Sequence, residues 1–317
     1  MELPLIYKYQ PRLLNEFEME DELLNLIKTL ISMNTLNILF IGDSGVGKTS
    51  LINAIIHDYY GEQPKEENVL SINSLKEQGI SYYRNDVKTF CQTSSLISGK
   101  KKILILDDLD IINEQSQQVF RNCIDKYSHN VHFIASCSNP QKVIDSLQSR
   151  MTIIKLYPLA LENLSKIVKK ICALEKIKID QEAEQFILSI SNNSVRIVIN
   201  YLEKCKLLKC DINVALADAI CTNIGFHEFT NYTTLCKTTK DVKQAISLIY
   251  KLFDRGYSVM DILDNYFLFV KTTDMLTEDE KYKIIPYICK YITIFHNIHE
   301  DEIELALFTN NLVQLFS

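Results

Sequence analysis

The string Gly42-Asp43-Ser44-Gly45-Val46-Gly47-Lys48-Thr49 follows an apolar run at 37–41 and opens a stretch of helical spacing at 49–59. No other feature constrains the chain as tightly. It fits G-x-x-x-x-G-K-[ST] in its strand–loop–helix setting. Glycines let backbone N–H groups turn inward around phosphate oxygens, and the start of the following helix adds partial positive charge. Lys48 has the reach for β- and γ-phosphates, while the Thr49 hydroxyl suits Mg²⁺. Three of the chain's eight glycines fall in this octapeptide. A plain strand-to-helix turn explains neither that concentration nor the Lys48-Thr49 pair.

A phosphate loop behind a buried strand belongs to a parallel α/β sheet with crossover helices, and residues 1–157 fit one. Continuous apolar runs at 37–41, 69–72, 102–106, 131–135 and 152–156 read as strands covered on both faces. Helical spacing lies between them at 49–59, 79–91 and 114–128. After Pro158 the strands stop. Segments 161–174, 181–190, 195–209 and 214–220 read as short amphipathic helices, so 158–225 is expected to be a small helical domain. A polar stretch at 223–234 leads to helices at 240–253, 259–273 and two or three more, giving a second helical domain at 226–317. A length of 317 residues is enough for two or three domains.

Lys and Arg number 34 against 40 Asp and Glu, a net charge of −6. That excludes a uniformly basic nucleic-acid binder but leaves room for a local basic strip. No apolar run reaches the ~20 residues of a bilayer span and no signal-peptide profile is present, so a soluble, non-secreted intracellular chain is expected. Nine scattered cysteines without a C-x-x-C pair argue against a disulfide framework or zinc site and read as reduced thiols in cores. The H-x-x-H pairs His129/His132 and His296/His299 have no third ligand nearby and read as surface side chains.

About sixty residues past the loop, a buried strand ends in Asp107-Asp108. This puts Asp107 beside the Mg²⁺ and Asp108 in place to orient or deprotonate an attacking water. The octapeptide is also similar to the loop of small Ras-like GTPases. Those proteins need N-K-x-D to read guanine, and none occurs; Asn122-Cys123-Ile124-Asp125 lacks the lysine. No D-x-x-G follows the second strand either; Asp254 is followed by Arg255-Gly256-Tyr257.

Several colinear segments together resemble the small subunits of sliding-clamp loaders, the replication factor C family of AAA+ ATPases. Tyr7-Lys8-Tyr9-Gln10-Pro11 is similar to the family's E-K-Y-R-P. The stretch from Leu70 through Asn73, Glu77 and Gly79 to Arg84 is similar to L-x-L-N-A-S-D-E-R-G-I-D-x-x-R. Ser116-Gln117-Gln118-Val119-Phe120-Arg121 matches A-Q-x-A-L-R, Gln148-Ser149-Arg150 matches Q-S-R, and Val195-Arg196 with Asn200 matches M-R…N.

The resemblance covers about the first 210 residues and implies an AAA+ nucleotide domain, a helical lid and a helical collar. It implies ATP and Mg²⁺ at a site that includes Ile6, Tyr9, Gln10, Phe17, the loop from Gly42 to Ser50, Ser138, Asn139 and Arg196. Arg150 is then a finger for the neighbouring subunit's γ-phosphate. Ser81, Arg84 and Lys88 become contacts to the duplex backbone. The implied partners are other loader subunits in a hetero-pentamer, a sliding clamp and primer–template DNA, with no membrane, at a nuclear or cytoplasmic replication site.

Departures from the pattern bear on turnover. Gln10 stands for arginine, Asp108 for glutamate, Ser138 for the sensor asparagine and Met151 for cysteine. Two further readings follow: a structural or regulatory loader subunit that binds ATP and donates Arg150 but hydrolyses little, or another AAA+ DNA motor.

Overall fold

The computed structural model describes residues 3–61, 66–73, 80–191, 193–221, 224–295 and 299–316; the side chains of 66, 73, 80–84, 218 and 219 are outside the description. Two units emerge, Met1–Ile220 and Cys221–Ser317.

The first unit begins with a four-residue helix α1 (Leu5–Lys8) and α2 (Asp21–Ser32). Then β1 (Ile38–Ile41), α3 (Lys48–Tyr60), β2 (Val69–Asn73), α4 (Ile80–Gln92) and β3 (Lys102–Asp107) alternate. They continue as α5 (Glu114–Tyr127), β4 (Val131–Cys137), α6 (Asp145–Gln148) and β5 (Thr152–Lys155). All strand pairs are parallel, in the order β2-β3-β4-β1-β5. The apolar runs explain the strands. Ile38, Leu39 and Phe40 are fully buried, alternate residues feeding two separate cores, one on each face of the sheet. Four helices complete the unit: α7 (Leu161–Glu175), α8 (Gln181–Ile190), α9 (Val195–Leu208) and α10 (Val214–Ile220). Leu164, Val168, Ile171, Val198 and Leu202 recur at helical spacing and close a core of their own, joined by Leu5 of α1.

The second unit is helical: α11 (Phe226–Thr234), α12 (Val242–Asp254), α13 (Val259–Thr272), α14 (Glu278–Phe295) and α15 (Ile303–Leu315). Its core gathers Phe229, Tyr232, Tyr266 and Phe308. The stretch expected to be polar connection is mostly α11. Phe226, Phe229 and Tyr232 fall on one face and drive its burial, despite the Asn and Thr between them. No helix among the described residues is long and apolar enough to cross a membrane.

Two readings of small residue groups change. His132 is buried rather than at the surface, because it lies on β4, where every position is covered. His299 is exposed, and His296 lies outside the described residues. Cys210 and Cys289 are exposed and Cys172 is half-buried, while the other six cysteines are buried.

Candidate active site

The phosphate loop sits at the carboxyl edge of the sheet, where β1 ends between β4 and β5. Gly42 donates to the Cys137 carbonyl and Leu156 to that of Ile41, fixing the loop between its neighbours. A Cβ on Gly42 would come within 2.7 Å of the Leu156 carbonyl oxygen. Gly45 and Gly47 take φ of +84° and +100°, a left-handed backbone that glycine alone adopts without strain. These positions fit a cradle whose N–H groups turn toward an anion, so the loop suits phosphate on geometry as well as on motif.

Lys48 opens α3 and is buried. Its Nζ donates to the carbonyls of Gly42 (2.6 Å) and Asp43 (3.1 Å) and to Ser138 Oγ (3.2 Å). The ammonium thus stands across the loop mouth. Thr49 Oγ1 donates to Asp107 Oδ2 at 3.1 Å. Adjacent ligands of an octahedral cation with bonds of about 2.05 Å stand ~2.9 Å apart, so this oxygen pair has the spacing and hardness that suit Mg²⁺. Ser136 on β4 donates to Asp107 Oδ1 at 2.5 Å and orients that carboxylate.

Asp108 has φ +52° and donates its N–H to Ser136 Oγ at 3.2 Å. Burial raises its carboxyl above the ordinary aspartate value; Asp107 next to it adds to the rise and Lys48 opposes it. A carboxyl so placed binds its proton more tightly and is a stronger base once ionised.

From the helices behind the sheet, Arg196 on the first turn of α9 brings Nη1 to 3.4 Å from Ser44 Oγ. Ser194, just before α9, closes on the same loop: a Cβ on Gly45 would lie 2.4 Å from its Oγ. On another side, Gln10 Nε2 donates to Ser50 Oγ at 3.2 Å. Ile6 and Tyr9 pack on the core of α7–α9, and Phe17 packs against the α3 side of the sheet. Asn139 is occupied elsewhere, its side chain accepting from Gln141 N–H at 2.9 Å.

Arg150 is the outlier. It precedes β5, whose Thr152 is level with Ile38, the first residue of β1, whereas the loop follows Ile41. That places Arg150 at the opposite edge of the sheet, at least ~13 Å along the strands from the loop. Its Nε donates to Asp125 at 2.6 Å and its Nη1 to the Ser146 carbonyl at 2.6 Å. Lys88 is exposed on α4; the side chains of Ser81 and Arg84 are among those outside the description.

Residues 38–159 match the family model "ATPase family associated with various cellular activities", and 227–292 match "Replication factor C C-terminal domain". A replication factor C small subunit from Methanococcus vannielii is 30% identical over 289 residues, 91% of each chain. The chain belongs to the replication factor C small-subunit family. Replication factor C subunit 3 of Saccharomyces cerevisiae is 31% identical over 205 residues, 64% of this chain and 60% of that one. Among solved structures, the Holliday junction branch migration motor RuvB of Thermotoga maritima aligns with a TM-score of 0.55 over 76% of this chain and 85% of its own. At 15% identity this is a likeness of fold alone.

In this replication factor C chain the structure gathers the loop, the strand-end carboxylate Asp107 and Arg196 that the motifs named, together with side chains that orient them and that no motif names. Ser136, Ser194 and Asp110 belong to no motif. Asp110 accepts the N–H groups of Ser138 and Asn139 at 3.3 and 3.0 Å, holding the turn that presents Ser138 to Lys48. Strand pairing offered a signal for Ser136. Leu106 is opposite Ala135, so one residue on, Asp107 meets Ser136.

Proposed function

We propose that this subunit binds and hydrolyses ATP within a hetero-oligomeric clamp loader that opens a sliding clamp and places it on primer–template DNA. The observation that carries the reading is the convergence of Lys48, Thr49, Asp107 and Arg196 on one glycine-built loop, in a chain of this family. Lys48 binds the β- and γ-phosphates. Thr49 and Asp107 would hold Mg²⁺, whose positive charge would offset the negative charge of the phosphate oxygens. Asp108 orients the attacking water and accepts its proton. Arg196, carried by the helices of 158–225, ties the angle of that lid to what fills the loop.

Arg150, at the far edge of the sheet, serves the site of the adjacent subunit. Its hydrogen bonds to Asp125 and Ser146 anchor it before assembly. Lys88 on α4 contacts the duplex backbone, which positions DNA without reading sequence. The collar at 226–317 packs against neighbouring subunits; Tyr282, Ile303 and Leu307 are exposed apolar residues on it and suit such a face.

The test is ATP binding and DNA-stimulated hydrolysis by the assembled loader carrying Lys48→Ala in this subunit alone. The expected result is loss of nucleotide at this subunit and a drop in turnover. Unchanged nucleotide occupancy would overturn the assignment of the loop; lost occupancy with unchanged turnover would mark a structural subunit.

A further inference from the structure

The segment preceding Pro11 is fastened more firmly than packing requires. Leu5 is already buried among Leu164, Val168, Ile171 and Leu202, which holds α1 to the helical group. Beyond it, a second fastening acts on the next residues. Glu175, the last residue of α7, has a side chain only 6% exposed. It accepts from Lys8 Nζ at 2.6 Å, from Tyr9 OH at 2.5 Å and from Lys206 Nζ of α9 at 2.9 Å. Exposed ion pairs contribute little, but a buried carboxylate taking three donors is different. Without it, the Tyr9 hydroxyl and a largely covered Lys206 lose a charged acceptor.

Directly after this cluster, Gln10 reaches Ser50, two residues beyond Lys48. Lys206 lies ten residues from Arg196 on the same helix, ~15 Å along its axis. So α9 meets the loop at Ser44 through one end, while its other end grips Glu175 and, through it, Tyr9 and Gln10.

We propose that Glu175 is a positioning residue for the nucleoside half of the ligand: it fixes Tyr9 and Gln10 beside Ser50 as a wall that moves with α7 and α9. The inference rests on the nucleotide reading above and assigns a role to a residue that belongs to no motif. A nucleoside whose phosphates fill the loop and leave it past Ser50 meets that wall. The phosphate contacts themselves do not involve Glu175. The electrostatics agree: Lys8, then Tyr9 and Lys206, hold the Glu175 carboxyl down to about 2, and burial, reinforced by Glu175, pushes the Tyr9 hydroxyl up to about 12.

The experiment compares the affinity of the full chain for ATP and for inorganic tripolyphosphate, which lacks a nucleoside, in the presence of Mg²⁺. Glu175→Gln should weaken ATP about tenfold, equivalent to ~1.4 kcal/mol, and leave tripolyphosphate unchanged. Tyr9→Phe, which keeps the ring and removes only the hydroxyl bonded to Glu175, should shift the same ratio by a smaller factor. This second variant serves if Glu175→Gln compromises folding, which a thermal melt would reveal. Unchanged ATP binding in both variants overturns the proposal. Equal weakening of both ligands also overturns it, because Glu175 would then act on the fold as a whole. Failure of the underlying nucleotide reading looks different: the unaltered chain would bind neither ligand, Lys48→Ala would change nothing, and this inference would fall with it.

Discussion

His132 gives a stability test whose size follows from its surroundings. It is 1% exposed on β4; its Nδ1 accepts from Leu36 N–H at 3.3 Å and its Nε2 donates to Asn34 Oδ1 at 2.9 Å. Tyr59 OH donates to the same Asn34 oxygen at 2.7 Å. Burial first, and Lys101 second, lower the imidazole pKa to about 4. In the unfolded chain it is about 6.5. The folded state therefore keeps His132 neutral where the unfolded state takes up a proton. Its contribution is fully present above about pH 6.5 and is lost as pH falls toward 4. Between about pH 8 and pH 5 the loss amounts to about 2 kcal/mol.

Urea unfolding at those two pH values, on the unaltered chain and on His132→Asn, isolates the effect. The variant is less stable at both but should lose about 2 kcal/mol less on acidification. Carboxylates held below their ordinary range, among them Glu16, Glu175 and Glu280, titrate in both proteins and cancel in the difference. Equal pH slopes for the two proteins would refute the reasoning.

Two further outcomes can be checked directly. Asp108→Asn should lower turnover at this subunit's site about 100-fold or more while leaving ATP binding in place. In the second unit, Thr309 Oγ1 donates to the Leu305 carbonyl, so the buried Tyr232 hydroxyl donates to Thr309 at 2.8 Å. Tyr232→Phe leaves that acceptor unsatisfied and should cost about 1–2 kcal/mol, measured by calorimetry of the full chain.

How much of this was legible in the sequence depends on the range of the interaction. The loop was readable because glycines are scarce and three fall together, and the central strands because burial on both faces leaves unbroken apolar runs. Helix α11 was obscured by Asn231 and its threonines, of which Thr233 is itself buried; its three aromatic residues carried the signal. His132 looked like a surface residue because its partners, Asn34 and Leu36, lie nearly a hundred residues away. Glu175 was invisible for the same reason, since Lys8 and Tyr9 are separated from it by more than 160 positions. Local chemistry is written in consecutive residues, whereas the groups that orient it arrive from other elements and become visible only when the sheet order and helix packing are known.

The placement of Arg150 at the sheet edge away from its own loop is the central claim, and an assembled loader carrying two changes in this subunit tests it most directly. Lys48→Ala removes this subunit's own turnover; Arg150→Ala is then added and the remaining hydrolysis is measured. If Arg150 acts on the adjacent site, the second change removes a further share of turnover, with a loss of ~10³-fold or more at that one site. If Arg150→Ala adds nothing once Lys48 is gone, the arginine does not act across the interface and the account is contradicted.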